Sequence, residues 1–475
     1  MIPEPTEKTA HPRHHCGIIG IFGVPQASFK VYNGLYALQH RGQESAGIVA
    51  SDGHNIHSAK GLGLLSEAID PQELDNLPGH IAIGHVRYST TGAKRVQNIQ
   101  PLVIEYSQGT VAVGHNGNLT NARTLREKYE AAGSIFQTAT DSEIVVHLLA
   151  DPEHINHPDP LGQSLRQLEG AYSLVILTAN ELYAARDPHG FRPLSLGRLQ
   201  NGYIVASETC AFDLLGAEYE RDIRRGEIIR IDKEGLHSHR FADTGCSRCA
   251  RCIFEHIYFA RPDSKVFGRT VQTARVRLGE RLAKDSPAPA DVVISIPHSG
   301  DPAALGYARE SGLPLDQGFI SNRYVGRTFI TPLEENRAES VEIKLNVIRE
   351  VVEGKRLVVV DDSIVRGTTT RTRLKLLRKM GAKELHMRIS APPIKYPCYF
   401  GVDFPNPHEL IAHSRSARQI KDFLGVDSLA YQTLDGLLAA VDGTKEDYCL
   451  ACFTGDYPVD IREDMDKLDF EKHLT

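Results

Sequence analysis

Near the start of the chain, the residues best equipped for chemistry are Cys16-Gly17-Ile18-Ile19-Gly20, GHVRYST at 84–90, GHNGNL at 114–119 and TATDSE at 138–143. A cysteine ahead of an apolar run suits a buried thiol opening a strand. Its place after a short polar leader, MIPEPTEKTAHPRHH, suits something else. With the leader removed, Cys16 becomes the N-terminus, and its free α-amine, with an ordinary pKa of about 8, stands beside the thiol as a base. That is a nucleophile–base pair needing no histidine. Acyl transfer to a thiol also needs donors for the oxyanion. HNGN supplies a side-chain amide, Asn116, next to the backbone N–H of Gly117. An amino-acid substrate asks for a guanidinium against its carboxylate and an acid against its ammonium, and Arg87 and Asp141 are of those types. His85 reads as structural, orienting the turn that carries Arg87. His11, His14 and His15 read as part of a solvated leader.

A second constellation is RLVVVDDSIVRGTTT at 356–370. Two carboxylates, Asp361 and Asp362, end an apolar strand, and a Gly-Thr-Thr-Thr loop then opens a helix. The loop's N–H groups and hydroxyls, with the positive end of the helix, suit a phosphate monoester. The acids suit sugar hydroxyls or a Mg²⁺ on a pyrophosphate. A capped strand-to-helix turn explains the hydroxyls but not two adjacent acids after a valine run. The cysteines make a third signal. Cys246-x2-Cys249-x2-Cys252 and Cys449-x2-Cys452 are spaced to share a metal, and their chemistry allows a Cys₄ zinc site as readily as an iron–sulfur cluster. Cys210 in SETCAFD reads as a buried hydrophobe.

The elements that must position these groups change character near 241–262. Upstream, short β-type runs such as CGIIGIFG, IAIGHVRYST and GTVAVGHNGNLT alternate with turn signals, and helical patterns fall near 28–39, 121–132 and 141–150. That pattern predicts a mixed α+β domain with largely antiparallel sheets. Downstream, DVVISIP, LDQGFIS, RLVVVDD and ELHMRIS alternate with amphipathic helices, the pattern of a parallel α/β sheet, where ligands bind at the carboxyl ends of strands. The expected division is a leader at 1–15, one domain at 16–240, another at 241–440 and a tail at 441–475. The 475 residues carry 54 Lys+Arg against 60 Asp+Glu, a net charge of −6 that argues against a nucleic-acid or membrane-surface protein. No apolar run reaches the ~20 residues of a membrane helix, the leader lacks the core of a secretory signal, and eight cysteines are too few for a disulfide scaffold of this length. These features point to the cytoplasm.

The first group of motifs, with LQHRGQESAG at 38–47, resembles the N-terminal-nucleophile glutamine amidotransferases, and DDSIVRGTTT resembles the signature of type I phosphoribosyltransferases. Together with CIFEHIYFARPDS (252–264), SNRYVGRTFI (321–330) and APPIKYPCYFGVD (391–403), the chain is similar over 16–455 to the glutamine phosphoribosylpyrophosphate amidotransferases. The resemblance implies an N-terminal-nucleophile hydrolase domain of sandwiched antiparallel sheets, followed by a type I phosphoribosyltransferase domain with a parallel sheet. It implies Cys16 as nucleophile, Asn116 and Gly117 as oxyanion hole, and Arg87 and Asp141 as glutamine ligands. Phosphoribosyl pyrophosphate would be held by Asp361, Asp362, Ser363, Arg366, Gly367, Thr368, Thr369, Thr370 and Lys344, with Mg²⁺ at Ser299, Asp361 and Asp362. The pyrophosphate would face His298 to Asp301, and the RYVGRTFI loop would close over the site, with Tyr258 along an ammonia passage. The same resemblance implies a [4Fe–4S] cluster on Cys252, Cys398, Cys449 and Cys452, a homotetramer, and purine nucleotides as inhibitors. Two positions depart from the family pattern: His298 stands where an acid is usual, and Glu342 where a base is usual. Two other functions remain open: a paralogue sensing phosphoribosyl pyrophosphate or nucleotides, and a glutaminase serving another acceptor.

Overall fold

The computed structural model describes residues 16–88, 96–245, 247–321, 345–402, 404 and 406–461. The leader histidines, Cys246, the 322–330 part of the SNRYVGRTFI motif, Glu342 and Lys344 lie outside them.

The first strand, Gly17–Phe22, shows why this half is layered. Every one of its six residues is buried, so its sequence is apolar or glycine throughout rather than alternating. Ile18 and Phe22 face a core between two sheets, with Val175, Leu182 and Ile229, while Ile19 and Ile21 face the helix Ala27–Ala37. The strand sits inside a seven-stranded sheet ordered Glu218–Asp222, Ser195–Leu199, Gly202–Ala206, Gly17–Phe22, Ile81–Arg87, Ser45–Ser51 and Ile56–Leu62. All its pairings are antiparallel. The facing six-stranded sheet is also antiparallel and carries Gly109–Leu119 beside Gly170–Leu177. Its outer face is covered by Ala122–Ala131 and Glu143–Leu149, through Leu125, Tyr129, Ile144 and Val145. The result is helix, sheet, sheet, helix, the α+β arrangement expected, with helices at the three predicted places.

In the second half, Val292–Ser295, Arg356–Asp361, Glu384–Ile389 and Ser428–Tyr431 form a four-stranded parallel sheet. Alternate residues of the valine run serve opposite faces. Val358 and Val360 pack with Ala303, Ala304 and Tyr307, and Leu357 and Val359 with Leu374, Leu377 and Met387. Two covering helices, Val271–Asp285 and Asp301–Ser311, cross where Gly279 and Gly306 meet the partner's backbone. A Cβ at either would lie 1.8 or 1.9 Å from the carbonyl oxygen of Ala303 or Val276. The LDQGFIS run departs from the parallel pattern. Leu315 makes one parallel bridge to Val293, and Phe319–Ser321 then pairs antiparallel with Leu345–Val347. The tail returns to the middle of the chain: Arg251–Cys252 pairs parallel with Tyr448–Cys449.

Candidate active site

Cys16 immediately precedes the Gly17–Phe22 strand, whose register pairs Gly17 with Val86 and so sets Cys16 against the end of the strand bearing Arg87. Its thiol points at the Tyr88 carbonyl, 3.8 Å away. Cys16, Arg87, Gly117 and Asp141 line one cavity of about 260 Å³, together with Gln100 and His115. Arg87 and Asp141 are both buried. Burial pushes the Cys16 thiol above its ordinary value, against the pull of the Tyr88 contact and the nearby Arg87 charge. Asp141 is fixed by the Leu119 N–H at 2.9 Å and the Ser142 hydroxyl at 3.3 Å.

Asn116 precedes Gly117 but is not among the residues that line this cavity; it is fully buried, and among the described residues neither its amide nitrogen nor its amide oxygen has a hydrogen-bond partner. A buried, unpaired amide is costly unless a ligand completes it. Gly117 follows, with the Ala171 carbonyl only 1.9 Å from where a Cβ would stand, so no side chain fits there. Around these two, His115 donates its backbone N–H to the Gln100 side chain, and its Nδ1 lies 2.9 Å from the Ser142 hydroxyl. His85 has the structural place expected: its Nε2 meets the His115 carbonyl at 3.0 Å, and burial holds it neutral with its pKa lowered to about 3. Sequence reasoning gives no role to Gln100 or His115. The first sits in no motif, and the second was passed over inside one.

A second group missed by sequence reasoning lies under Cys16. Arg41 donates its Nε to the Cys16 carbonyl at 3.2 Å. Its other nitrogens bind Glu208 at 2.5 Å and Glu255 at 2.8 Å, and Glu255 also meets Arg192 at 3.3 Å. All four side chains are at most 1% exposed. Two cations and two anions balance, which is what makes their burial tolerable. Burial alone would raise the Glu208 carboxyl, but His40 and Arg41 outweigh it and hold it far below the ordinary carboxylate range.

At the carboxyl end of Arg356–Asp361, Asp361 and Asp362 are 3% exposed. Burial first, and for Asp361 then the neighbouring Asp362 charge, drives both carboxyls upward. The Ser363 hydroxyl donates to Asp362, as does that of Ser299, from the next strand's loop. Gly367 adopts a left-handed φ of 79° and starts the helix Thr368–Lys379, whose first N–H groups face outward from the helix end. Thr368 is exposed, Thr369 half-buried and Thr370 buried. Arg366 is turned aside: its guanidinium is paired with Glu409, its Nε donating at 2.7 Å. His298 bridges Asp301 at 3.3 Å and the Ser321 hydroxyl at 3.1 Å.

Cys252, Cys398, Cys449 and Cys452 line a separate apolar cavity of about 370 Å³, with Phe191, Phe254 and Phe400. All four are free thiols. Burial, reinforced by neighbouring thiols, pushes Cys452 and Cys449 up, and burial moves Cys252 to about 11. Cys249 is not in this wall; its thiol points at the Asp447 carbonyl. Cys210 is buried against the Ala37 carbonyl, as a structural thiol. Among the described residues, the trio of metal-capable side chains whose donor atoms lie within 4.8 Å of one another is Asp232, Glu234 and His237, so no three of the four thiols are that close.

Comparison with known proteins agrees with both halves. A glutamine amidotransferase domain family matches residues 85–213. Amidophosphoribosyltransferase 1 of Arabidopsis thaliana, a chloroplastic protein, is 49% identical over 96% of this chain and 83% of its own length. The amidophosphoribosyltransferase of Bacillus subtilis is 47% identical over 94% of this chain and 95% of its own. Among solved structures, the glutamine phosphoribosylpyrophosphate amidotransferase of B. subtilis complexed with ADP and GMP superposes with a TM-score of 0.89, at 47% identity, covering 94% of this chain and 98% of that one. Identity of this level across both halves, on the same fold, means that the chain belongs to the amidophosphoribosyltransferase family.

Proposed function

We propose that the chain makes 5-phosphoribosylamine, glutamate and pyrophosphate from phosphoribosyl pyrophosphate, glutamine and water, the first step of de novo purine synthesis. We read 16–240 as the glutaminase domain, 241–440 as the phosphoribosyltransferase domain and 441–475 as a tail. The observation that carries the reading is the convergence of Cys16, Arg87, Gly117 and Asp141 on one cavity, with the buried, unpaired amide of Asn116 next to Gly117 in the strand. Once the leader at 1–15 is removed, the Cys16 amine takes the thiol proton, and the sulfur attacks the glutamine amide carbon. Asn116 and Gly117 receive the oxyanion, which develops only as the bond forms. Arg87 and Asp141 hold the substrate carboxylate and ammonium. The proton passes to the departing nitrogen, ammonia leaves, and water hydrolyses the thioester to glutamate. A thiol raised by burial is a weak nucleophile unless a base serves it, which supports the amine in that role.

Ammonia then attacks C1 of the ribose as pyrophosphate leaves. Asp361, Asp362 and Ser299 form a hard-oxygen donor set of the kind that suits Mg²⁺, and their raised carboxyls fit a pair awaiting a cation. Mg²⁺ there would neutralise charge on the departing pyrophosphate. Ser363 and Gly367 to Thr370 would hold the 5-phosphate at the helix start; Arg366 would join them only by releasing Glu409. The four thiols of the 370 Å³ cavity fit a [4Fe–4S] cluster better than one zinc ion. Zn–S bonds of ~2.3 Å would bring four sulfurs to within about 4 Å of one another, closer than these stand. Such a cluster would supply a structural tie between the middle of the chain and its tail. The B. subtilis complex with ADP and GMP supports purine nucleotides as inhibitors. No helix among the described residues is long and apolar enough to cross a membrane.

The test is glutamate release from glutamine by anaerobically purified protein, with and without phosphoribosyl pyrophosphate and Mg²⁺. Release stimulated by the sugar phosphate and matched by pyrophosphate is the expected result. Unstimulated release, with no pyrophosphate, would rule out the second half of the reaction.

A further inference from the structure

The strand that carries Asn116 and Gly117 pairs with Leu102–Tyr106 only through its first half, Gly109–Val113. Its end is held by the segment that carries Cys398. The Asn118 side chain donates to the Tyr399 carbonyl at 2.8 Å. Arg192 donates through Nε and Nη2 to the Phe400 carbonyl at 3.1 and 2.5 Å. Gly401, in a left-handed conformation with φ of 99°, lies against Gly117: a Cβ there would stand 3.1 Å from both the Gly117 carbonyl carbon and its oxygen. The Phe400 ring stacks on Phe191 at 4.2 Å, and both pack on Ala171, whose carbonyl lies against Gly117 as well. At the far end, the Phe400 N–H points at the Cys398 sulfur, 3.4 Å away. Gly117 thus has both Ala171 and Gly401 in close backbone approach.

We propose that the 398–401 segment is the positioning element of the oxyanion hole, and that Asn118 and Gly401 are the residues through which it acts. Neither touches the reacting atoms. Asn118 sets how far the strand carrying Asn116 and Gly117 can move, and Gly401 sets the plane of the peptide next to Gly117. Hydrogen-bond donation to an oxyanion is steeply sensitive to such displacements, because the donors must match the transition state rather than the ground state. The bare face of Gly401 follows from this contact: any side chain there would push on the Gly117 peptide. The arrangement also joins whatever Cys398 binds to glutamine hydrolysis through three residues of chain. The inference rests on the glutaminase reading above.

The test compares Asn118→Ala and Gly401→Ala with the parent in three assays. The kcat for glutamate release should fall ~10-fold, less than the ~10²–10³ of deleting an oxyanion donor, with KM within about twofold. Alkylation of Cys16 by iodoacetamide, which builds no oxyanion, should keep its rate. Ammonia-dependent synthesis should also be unchanged. Asn118 is half-buried, so its variant remains informative even where Gly401→Ala folds poorly. A parental kcat in a folded variant would overturn the proposal. So would a parallel fall in alkylation, which would mean that the thiol had moved, or in ammonia-dependent synthesis, which would mean general damage. A parent protein that releases no glutamate at all would overturn the glutaminase reading itself.

Discussion

Cys16 and Asn116 are two different kinds of group, and substitution separates them. In the proposed mechanism Cys16 forms the covalent bond, so Cys16→Ala should abolish glutamine-dependent synthesis while leaving ammonia-dependent synthesis intact, because Asp361 and Asp362 stand on another sheet. The Asn116 side chain has no hydrogen-bond partner among the described residues. Asn116→Ala therefore removes an interaction made only in the transition state, and should lower kcat by ~10²–10³ with little change in KM. Steady-state kinetics with glutamine and with ammonia as nitrogen donor check both. Loss of ammonia-dependent activity in folded Cys16→Ala would mean that the two sites are not separate. The unpaired amide also carries a stability corollary. Satisfying nothing, it gains nothing from being polar, so Asn116→Ala should leave the resting protein no less resistant to urea.

Among the elements, the helices Val271–Asp285 and Asp301–Ser311 approach so closely that backbone meets backbone at Gly279 and Gly306. The second of these helices begins beside Ser299, and the strand whose Val358 and Val360 it covers ends in Asp361. Gly306→Val would drive a side chain into the Val276 carbonyl and push the helices apart. A cost at or above the ~1–3 kcal/mol typical of overpacking is expected in urea unfolding. Gly312→Ala, where a Cβ meets nothing within 4 Å, is limited to the strain of a left-handed backbone. Elements of this kind were largely legible in the sequence. Strands buried on both faces read as continuous apolar runs, and GIIGIF and RLVVVD needed no partner to be recognised. Partner choice was not legible. The LDQGFIS run has the composition of a parallel strand, yet Phe319–Ser321 pairs antiparallel with Leu345–Val347. Nothing local to seven residues specifies which neighbour a short strand finds. The CxxC spacings likewise drew attention to Cys252, Cys449 and Cys452, but only the resemblance singled out Cys398 and left Cys249 aside, and in the folded chain Cys249 stands outside the cavity that the other four line. Asp361, Asp362 and Gly367 were legible as a strand end, paired acids and a helix-opening loop because they are contiguous. Arg366 lies between them and turns to Glu409, a partner forty-three residues away with no periodic signal.

Across the whole molecule, the halves meet through charge. Arg41 and Glu208 belong to the glutaminase half, Glu255 to the segment that begins the second, and Arg192 reaches the Phe400 carbonyl beside the cysteines. Removing one member leaves its partners charged and dry. Glu255→Ala should cost ~3–5 kcal/mol, whereas breaking the exposed Arg198–Glu220 pair should cost under about 1 kcal/mol. The same network fixes how the junction responds to acid. The Glu208 carboxyl sits far below its unfolded value, so the unfolded chain binds its proton first as pH falls. Its stabilisation is complete above an ordinary carboxylate pKa of about 4.3. It declines only as pH drops from there toward the depressed folded value. Glu208→Gln should therefore lose stability at neutral pH, and below pH ~4 the gap between variant and parent should shrink. Urea midpoints taken from pH 7 down to pH 3 read this directly. A gap that stays constant with pH would mean that Glu208 acts by packing alone, and the charge balance around Arg41 would no longer explain why four ionised groups are buried beneath the nucleophile.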